Sequence, residues 1–183
     1  MKKLLLLFLS ILTGCVGIPN DITAVNNFNI EKYLGKWYEI ARLDHSFERG
    51  LSHVTAEYSR RKDGGIRVIN RGYSADTGSW KEAEGKAYFV GEPDQGFLKV
   101  AFFGPFYGSY IVFELDQEGY QYALVCGPNR SYLWILARTP TLPPATQNNL
   151  VKKAFAAGFD TNQLLFVDHG ELPQKAASSV SPP

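Results

Sequence analysis

NFNIEKYLGKWYEIAR, residues 27–42, joins the end of a helical turn to the start of a strand around one large aromatic residue. Ile30, Tyr33 and Leu34 are spaced for a short helical turn, with Asn29 as its N-cap and Gly35 able to take the positive φ that ends it. From Trp37 onward the period becomes two. Trp37, Glu39 and Ala41 then point one way and Tyr38, Ile40 and Arg42 the other, as in a strand with two differently dressed faces.

Downstream of this first strand, expected near 36–43, seven more short strands are predicted at about 53–61, 65–74, 80–90, 97–103, 108–116, 120–126 and 132–138. Turn clusters such as Asp63-Gly64-Gly65, Glu92-Pro93-Asp94-Gln95-Gly96 and Gly127-Pro128-Asn129 separate them, the punctuation of an antiparallel meander. Alternation alone does not distinguish a sandwich from a closed barrel. A helix is predicted near 144–158, with Leu150, Val151, Ala154, Phe155 and Ala157 on one side and Gly158 ending it. It is expected to pack outside the sheet, and a short strand from Leu164 to Val167 is expected beside the first strand.

A chain of 183 residues supports one domain with a substantial core, and its aromatic content of 14% with 17 Gly favours strands and tight turns over helical bundles. The formal charge of +1 leaves no field that would hold nucleic acid, so that partner class is excluded. Met1-Lys2-Lys3 followed by the apolar run Leu4–Leu12 is a charged start and a core too short to cross a bilayer, which takes about 20 residues. It reads as a cleaved signal. The run closes on Leu12-Thr13-Gly14-Cys15, and Cys126 is then the sole remaining cysteine, expected to pack as a small apolar group.

Gly35-Lys36-Trp37-Tyr38, the apolar strand Tyr132-Leu133-Trp134-Ile135-Leu136-Ala137-Arg138, and the hairpin Phe102-Phe103-Gly104-Pro105-Phe106-Tyr107-Gly108 together resemble the lipocalin family. They are similar to its bacterial outer-membrane members and their animal relative apolipoprotein D. The resemblance implies an all-β fold: an eight-stranded up-and-down antiparallel β-barrel with a short N-terminal helical turn and one C-terminal α-helix packed outside. It implies a structural floor of Gly35, Trp37 and Arg138, the guanidinium lying across the indole, a pairing worth roughly 0.5–2 kcal/mol. LTGC resembles the lipobox of bacterial lipoproteins, implying acylation at Cys15. Val16 in place of Asp after that Cys points by the same resemblance to the outer membrane. The expected organisation is a signal over 1–14, a lipidated tether over 15–26, the barrel domain over 27–168 and a flexible tail over 169–183. The implied function is a lipid-binding lipoprotein, on the periplasmic face of the outer membrane, that stores or transports a fatty acid or (lyso)phospholipid under envelope stress. Dimers occur in this group, so a homodimer is a possible assembly, and no cofactor is implied.

Placing Trp37 inward sets an expected cavity lining by alternation. The ligand-binding candidates are Ala41, Ala56, Tyr58, Asn70, Phe89, Val100, Phe102, Ile111 and Trp134, with Phe113 also expected inward and Glu39 needing either a partner or a proton. The loop Asp44–Leu51 is expected over the open end with Phe47 at the mouth, and Phe106 and Tyr107 at an exposed hairpin tip suited to a second copy or a membrane. An enzyme is the competing class. His45, His53 and His169 fall in loops or at strand edges, no Gly-x-Ser-x-Gly elbow occurs, and no spacing suits a metal. The other alternative is a planar cofactor such as haem, for which Tyr58 and Tyr132 are the candidate axial ligands.

Overall fold

The computed structural model describes residues 16–172. The signal, Cys15 and residues 173–183 lie outside this range. A single turn of helix, α1 (Ile30–Tyr33), opens the domain, and the Asn29 Oδ1 accepts from the backbone N–H of Glu31 at 2.9 Å as its cap. Gly35 follows at φ +91°, the left-handed conformation that turns the chain into the first strand.

Eight strands then wind in sequence: β1 (Gly35–Arg42), β2 (Leu51–Arg60), β3 (Ile66–Ser74), β4 (Ser79–Phe89), β5 (Phe97–Ala101), β6 (Gly108–Leu115), β7 (Tyr122–Cys126) and β8 (Leu133–Ala137). Each pairs antiparallel with the next, β8 pairs with β1, and β1 pairs with β2, so the sheet closes on itself as a barrel. Helix α2 (Pro144–Ala156) lies against the outside through Leu150 and Ala154, both fully buried. Phe155, expected on that inner side, instead stands 68% exposed. A short ninth strand, β9 (Leu165–Phe166), pairs with Ala41 and Arg42 on β1.

The wall separates two apolar clusters. Tyr33, Trp37, Ile66, Val125 and Leu136 belong to the inner one; Ile111, Leu124, Leu133, Ile135 and Leu150 belong to the outer one beneath α2. Cys126 is buried in the outer cluster as a free thiol, and burial pushes its pKa up to about 12.

Three expectations about placement require correction. Ala41 is not on the cavity wall: the pairing of β1 with β8 slips between Glu39 and Ala41, and this bulge at Ile40 sends Ala41 into the outer cluster and turns Arg42 inward. Ile111 and Phe113 also face outward. Leu98, which is inward, pairs with Tyr110, so Tyr110 and Val112 take the inner side while Phe113 stacks on Phe159 at 5.6 Å. Phe89 packs on the inner cluster against Phe28, at 6.2 Å between ring centroids, below the cavity rather than on its wall.

The segments flanking the barrel are more ordered than their composition suggests. Residues 16–26, expected as a tether, run along the wall: Val25 exchanges backbone bonds with Val112 and Gly96, and Ile22 and Ala24 enter the outer cluster. Farther up, the Gly17 N–H donates to the Ser109 hydroxyl at 2.8 Å. At the other end, His169 and Gly170, expected to begin a loose tail, are pinned by His169 Nε2 on the Glu39 carbonyl and by His53 Nε2 on the Gly170 carbonyl, each at 2.8 Å.

Candidate functional site

Trp37 is fully buried at the closed end, its Nε1 donating to the Tyr33 carbonyl at 2.8 Å. The Arg138 guanidinium lies 4.0 Å from the indole centroid and donates to the carbonyls of Lys36, Lys32 and Tyr120. One side chain therefore satisfies the carbonyls left open where α1 meets β1 and covers the apolar floor from below.

Above that floor the barrel encloses a cavity of about 430 Å³, in the size range of small-ligand sites. Ala56, Tyr58, Asn70, Val100, Phe102 and Trp134 stand on its wall, joined by Ile30, Val54, Ile66, Val68, Leu98 and Leu136. Ala87 leaves room there, whereas Gly85 leaves room for Phe102: a Cβ on Gly85 would meet the Phe102 ring at 2.8 Å. Phe47, itself 59% exposed, lines the entrance together with Glu48, Tyr132 and the turn Gly127–Asn129.

The hairpin beyond β5 is exposed through Phe103 at 80% and Phe106 at 60%. Tyr107 is half-buried instead of exposed, with its ring near Tyr88 and under Lys99. None of these three lines the cavity.

The interior is not wholly apolar. Arg42, brought inside by the bulge, donates through Nη1 to Glu39 Oε1 at 2.7 Å and through Nη2 to the Glu48 carbonyl at 2.8 Å. The Glu48 side chain accepts from the Trp134 indole N–H at 3.0 Å. One guanidinium thus faces two buried carboxyls. Burial first, and then the nearness of Glu48, outweigh the attraction of Arg42 and push the Glu39 pKa up to about 8; burial also raises Glu48. The pair accordingly keeps a proton at neutral pH.

His45, expected in a loop, is buried, stacked on Phe47 and Tyr132 at 5.1 and 5.0 Å and tilted against Trp134 at 4.9 Å. Burial, reinforced by Arg42, lowers its pKa to about 4, so it is neutral at pH 7.

Sequence reasoning missed Tyr33 and Tyr110 as wall residues. The Tyr110 hydroxyl sits 2.7 Å from that of Tyr33 and 2.8 Å from that of Tyr58. All three line the cavity. The proposed axial ligand Tyr58 is thus tied into a hydroxyl chain, and Tyr132 is in the His45–Trp134 stack. Glu39 was the signal that an inward partner was needed, and Lys36 and Arg42, each three residues away, were the nearest cations in the chain, but strict alternation placed both outside.

Residues 28–169 match the family model described as a lipocalin-like domain. The outer membrane lipoprotein Blc of Vibrio cholerae is 58% identical over 168 residues, covering 91% of this chain and 98% of that protein. Its namesake in Escherichia coli K12 is 56% identical over 149 residues, covering 81% and 84% respectively. Apolipoprotein D of Bos taurus is 34% identical over 155 residues, covering 81% of this chain and 80% of its own. Insecticyanin from the tobacco hornworm Manduca sexta superposes with a TM-score of 0.66 at 24% identity, over 85% of this chain and 88% of that one, a likeness of fold. With a closed eight-stranded wall, a Trp–Arg floor and a family match across the whole barrel, the chain belongs to the lipocalin family.

Proposed function

We propose that this chain is a lipid-binding lipoprotein of the bacterial outer membrane, anchored through Cys15 and holding a fatty acid or (lyso)phospholipid chain in its barrel for storage or transport. The observation that carries this reading is the cavity of about 430 Å³, closed at one end by Trp37 and walled mainly by Val54, Val68, Leu98, Val100, Phe102 and Leu136. An alkyl chain gains about 0.8 kcal/mol for each CH2 it buries there. The name outer membrane lipoprotein, carried by relatives at 56–58% identity, supports the location, as does LTGC at residues 12–15. Anchoring at Cys15 itself rests on the sequence. Phe103 and Phe106 give the open end an apolar lip suited to a bilayer surface, while a homodimer through the same hairpin would show as a doubled mass in sedimentation.

Native mass spectrometry of the protein purified from its own membrane tests the reading. The expected result is an adduct of fatty-acid or lysophospholipid mass, released by a competing fluorescent fatty acid. No adduct, together with no displacement, overturns it.

A further inference from the structure

The polar atoms of the cavity wall are unbalanced in a way that specifies what a ligand must bring. Tyr33, Tyr58 and Tyr110 contribute three hydroxyl protons but make only two bonds to one another. Each hydroxyl donates once, so one O–H is left over whichever way the chain runs. Nearby stand acceptors. Asn70 Oδ1 is buried without a hydrogen-bond partner, and Glu39, also on the wall, has Oε1 bound to Arg42. Burial, and then the fields of Glu48 and Glu39, raise the Tyr58 hydroxyl above its ordinary pKa, so hydroxyl and carboxyls share one low-dielectric neighbourhood.

No Lys or Arg is among the described residues that line the cavity. Arg42 lies behind Glu39, off the cavity wall, with its Nη atoms committed to Glu39, Glu48 and Leu51 and only its buried Nε unpartnered, and Arg138 lies beneath the Trp37 ring. An anionic group brought to this depth would lose its water and meet only a guanidinium whose charge the Glu39–Glu48 pair already balances. An uncharged alcohol meets the opposite situation, because it accepts one proton and donates one.

Resting on the lipid reading above, we propose that the barrel interior contains a polar subsite for an uncharged alcohol borne on an alkyl chain. The alcohol accepts from the unspent tyrosine O–H around Tyr110 and donates to Asn70 Oδ1 or Glu39, and the subsite turns a carboxylate away. The alcohol could belong to the ligand's head, entering first, or to the far end of a chain whose carboxylate stays at the mouth. The chemistry required of the subsite is the same.

Displacement titrations at neutral pH with dodecanol, dodecanoate and ω-hydroxydodecanoate separate the outcomes. Dodecanol should bind about tenfold tighter than dodecanoate, the worth of roughly one hydrogen bond. The triple change Tyr33→Phe, Tyr58→Phe and Tyr110→Phe, which removes every hydroxyl of the chain, should narrow that gap to about threefold or less, and Asn70→Leu should narrow it from the acceptor side. If ω-hydroxydodecanoate also outbinds dodecanoate, the alcohol is at the chain's far end; if the two bind alike, it is at the head. Dodecanoate binding as tightly as dodecanol, or a gap unchanged in both folded variants, overturns the subsite and leaves the lipid reading standing. Binding of none of the three overturns both.

Discussion

The inner and outer faces of the same eight strands are packed to different ends. Outside, Ile111, Leu124, Leu133 and Ile135 are fully buried in the cluster they share with Leu150 and Ala154 of α2, and the small residues Ala41, Ala137 and Cys126 complete it. Inside, the large rings of Tyr33 and Trp37 gather at the floor, while the upper wall stops short of the axis and leaves a cavity of about 430 Å³. Protein interiors are otherwise packed like organic crystals, so this space forgoes contacts that a filled barrel would make. Stability therefore resides in the outer layer and the floor, and binding in the upper interior.

That division can be broken at the floor first. Trp37→Ala should cost about 3–5 kcal/mol in chemical denaturation, the largest effect of any of these changes, because it removes a fully buried ring and strips Arg138 of its aromatic partner. Ile111→Ala should cost about 2–5 kcal/mol while displacement titration shows ligand affinity within about twofold of the original, since Ile111 packs under the helix side of the wall. A large loss of affinity there would show that the two layers are coupled. Ala56→Phe should do the reverse. It projects a ring into the cavity, so binding should fall by about tenfold or more, with stability changed by no more than about 1–3 kcal/mol.

The smallest effect is the pH profile. Glu39, raised to about 8, holds a proton in the folded state that the unfolded chain releases near 4.5, so its stabilisation is complete below that value and is lost as pH rises through about 8. His45, lowered to about 4, acts oppositely, as does the lowered His169: stability rises with pH toward 6.5, where the unfolded chain loses the same protons. These opposing slopes offset one another below about 6.5, and above it only the Glu39 loss remains. Denaturation midpoints should thus be nearly level from about pH 4.5 to 6.5 and fall toward pH 8, with Glu39→Gln removing the fall.

The barrel was legible because its decisive signals are local. Gly35-Lys36-Trp37-Tyr38 marks a helix stop and strand start within four residues, and Gly- and Pro-bearing turns delimit every later strand. The face assignments were legible only where one face is wet. In Ile111-Val112-Phe113 all three residues are apolar because helix α2 buries the outer face as completely as the barrel buries the inner, so alternation carries no sign. At Ile40 a bulge inserts one residue and reverses the facing of Ala41 and Arg42, which hid Arg42 from the interior and put Ala41 there wrongly. The tyrosine hydroxyl chain joins residues 33, 58 and 110, and the Trp134–Glu48 bond spans 86 positions, distances at which no local pattern operates.

Because Gly17 is fastened to Ser109 at the head of β6, the chain leaves the barrel beside Gly108 and Ser109, which are themselves on the cavity rim. The anchor proposed at Cys15 lies two residues farther on, a reach of at most about 7 Å of extended chain. Such a short leash would fix the orientation of the molecule: the doorway would be held against the leaflet and the Trp37 end would point away from it. A lipid could then pass from bilayer to barrel without crossing open water, and the barrel would serve as a docked berth more than as a free-swimming ferry.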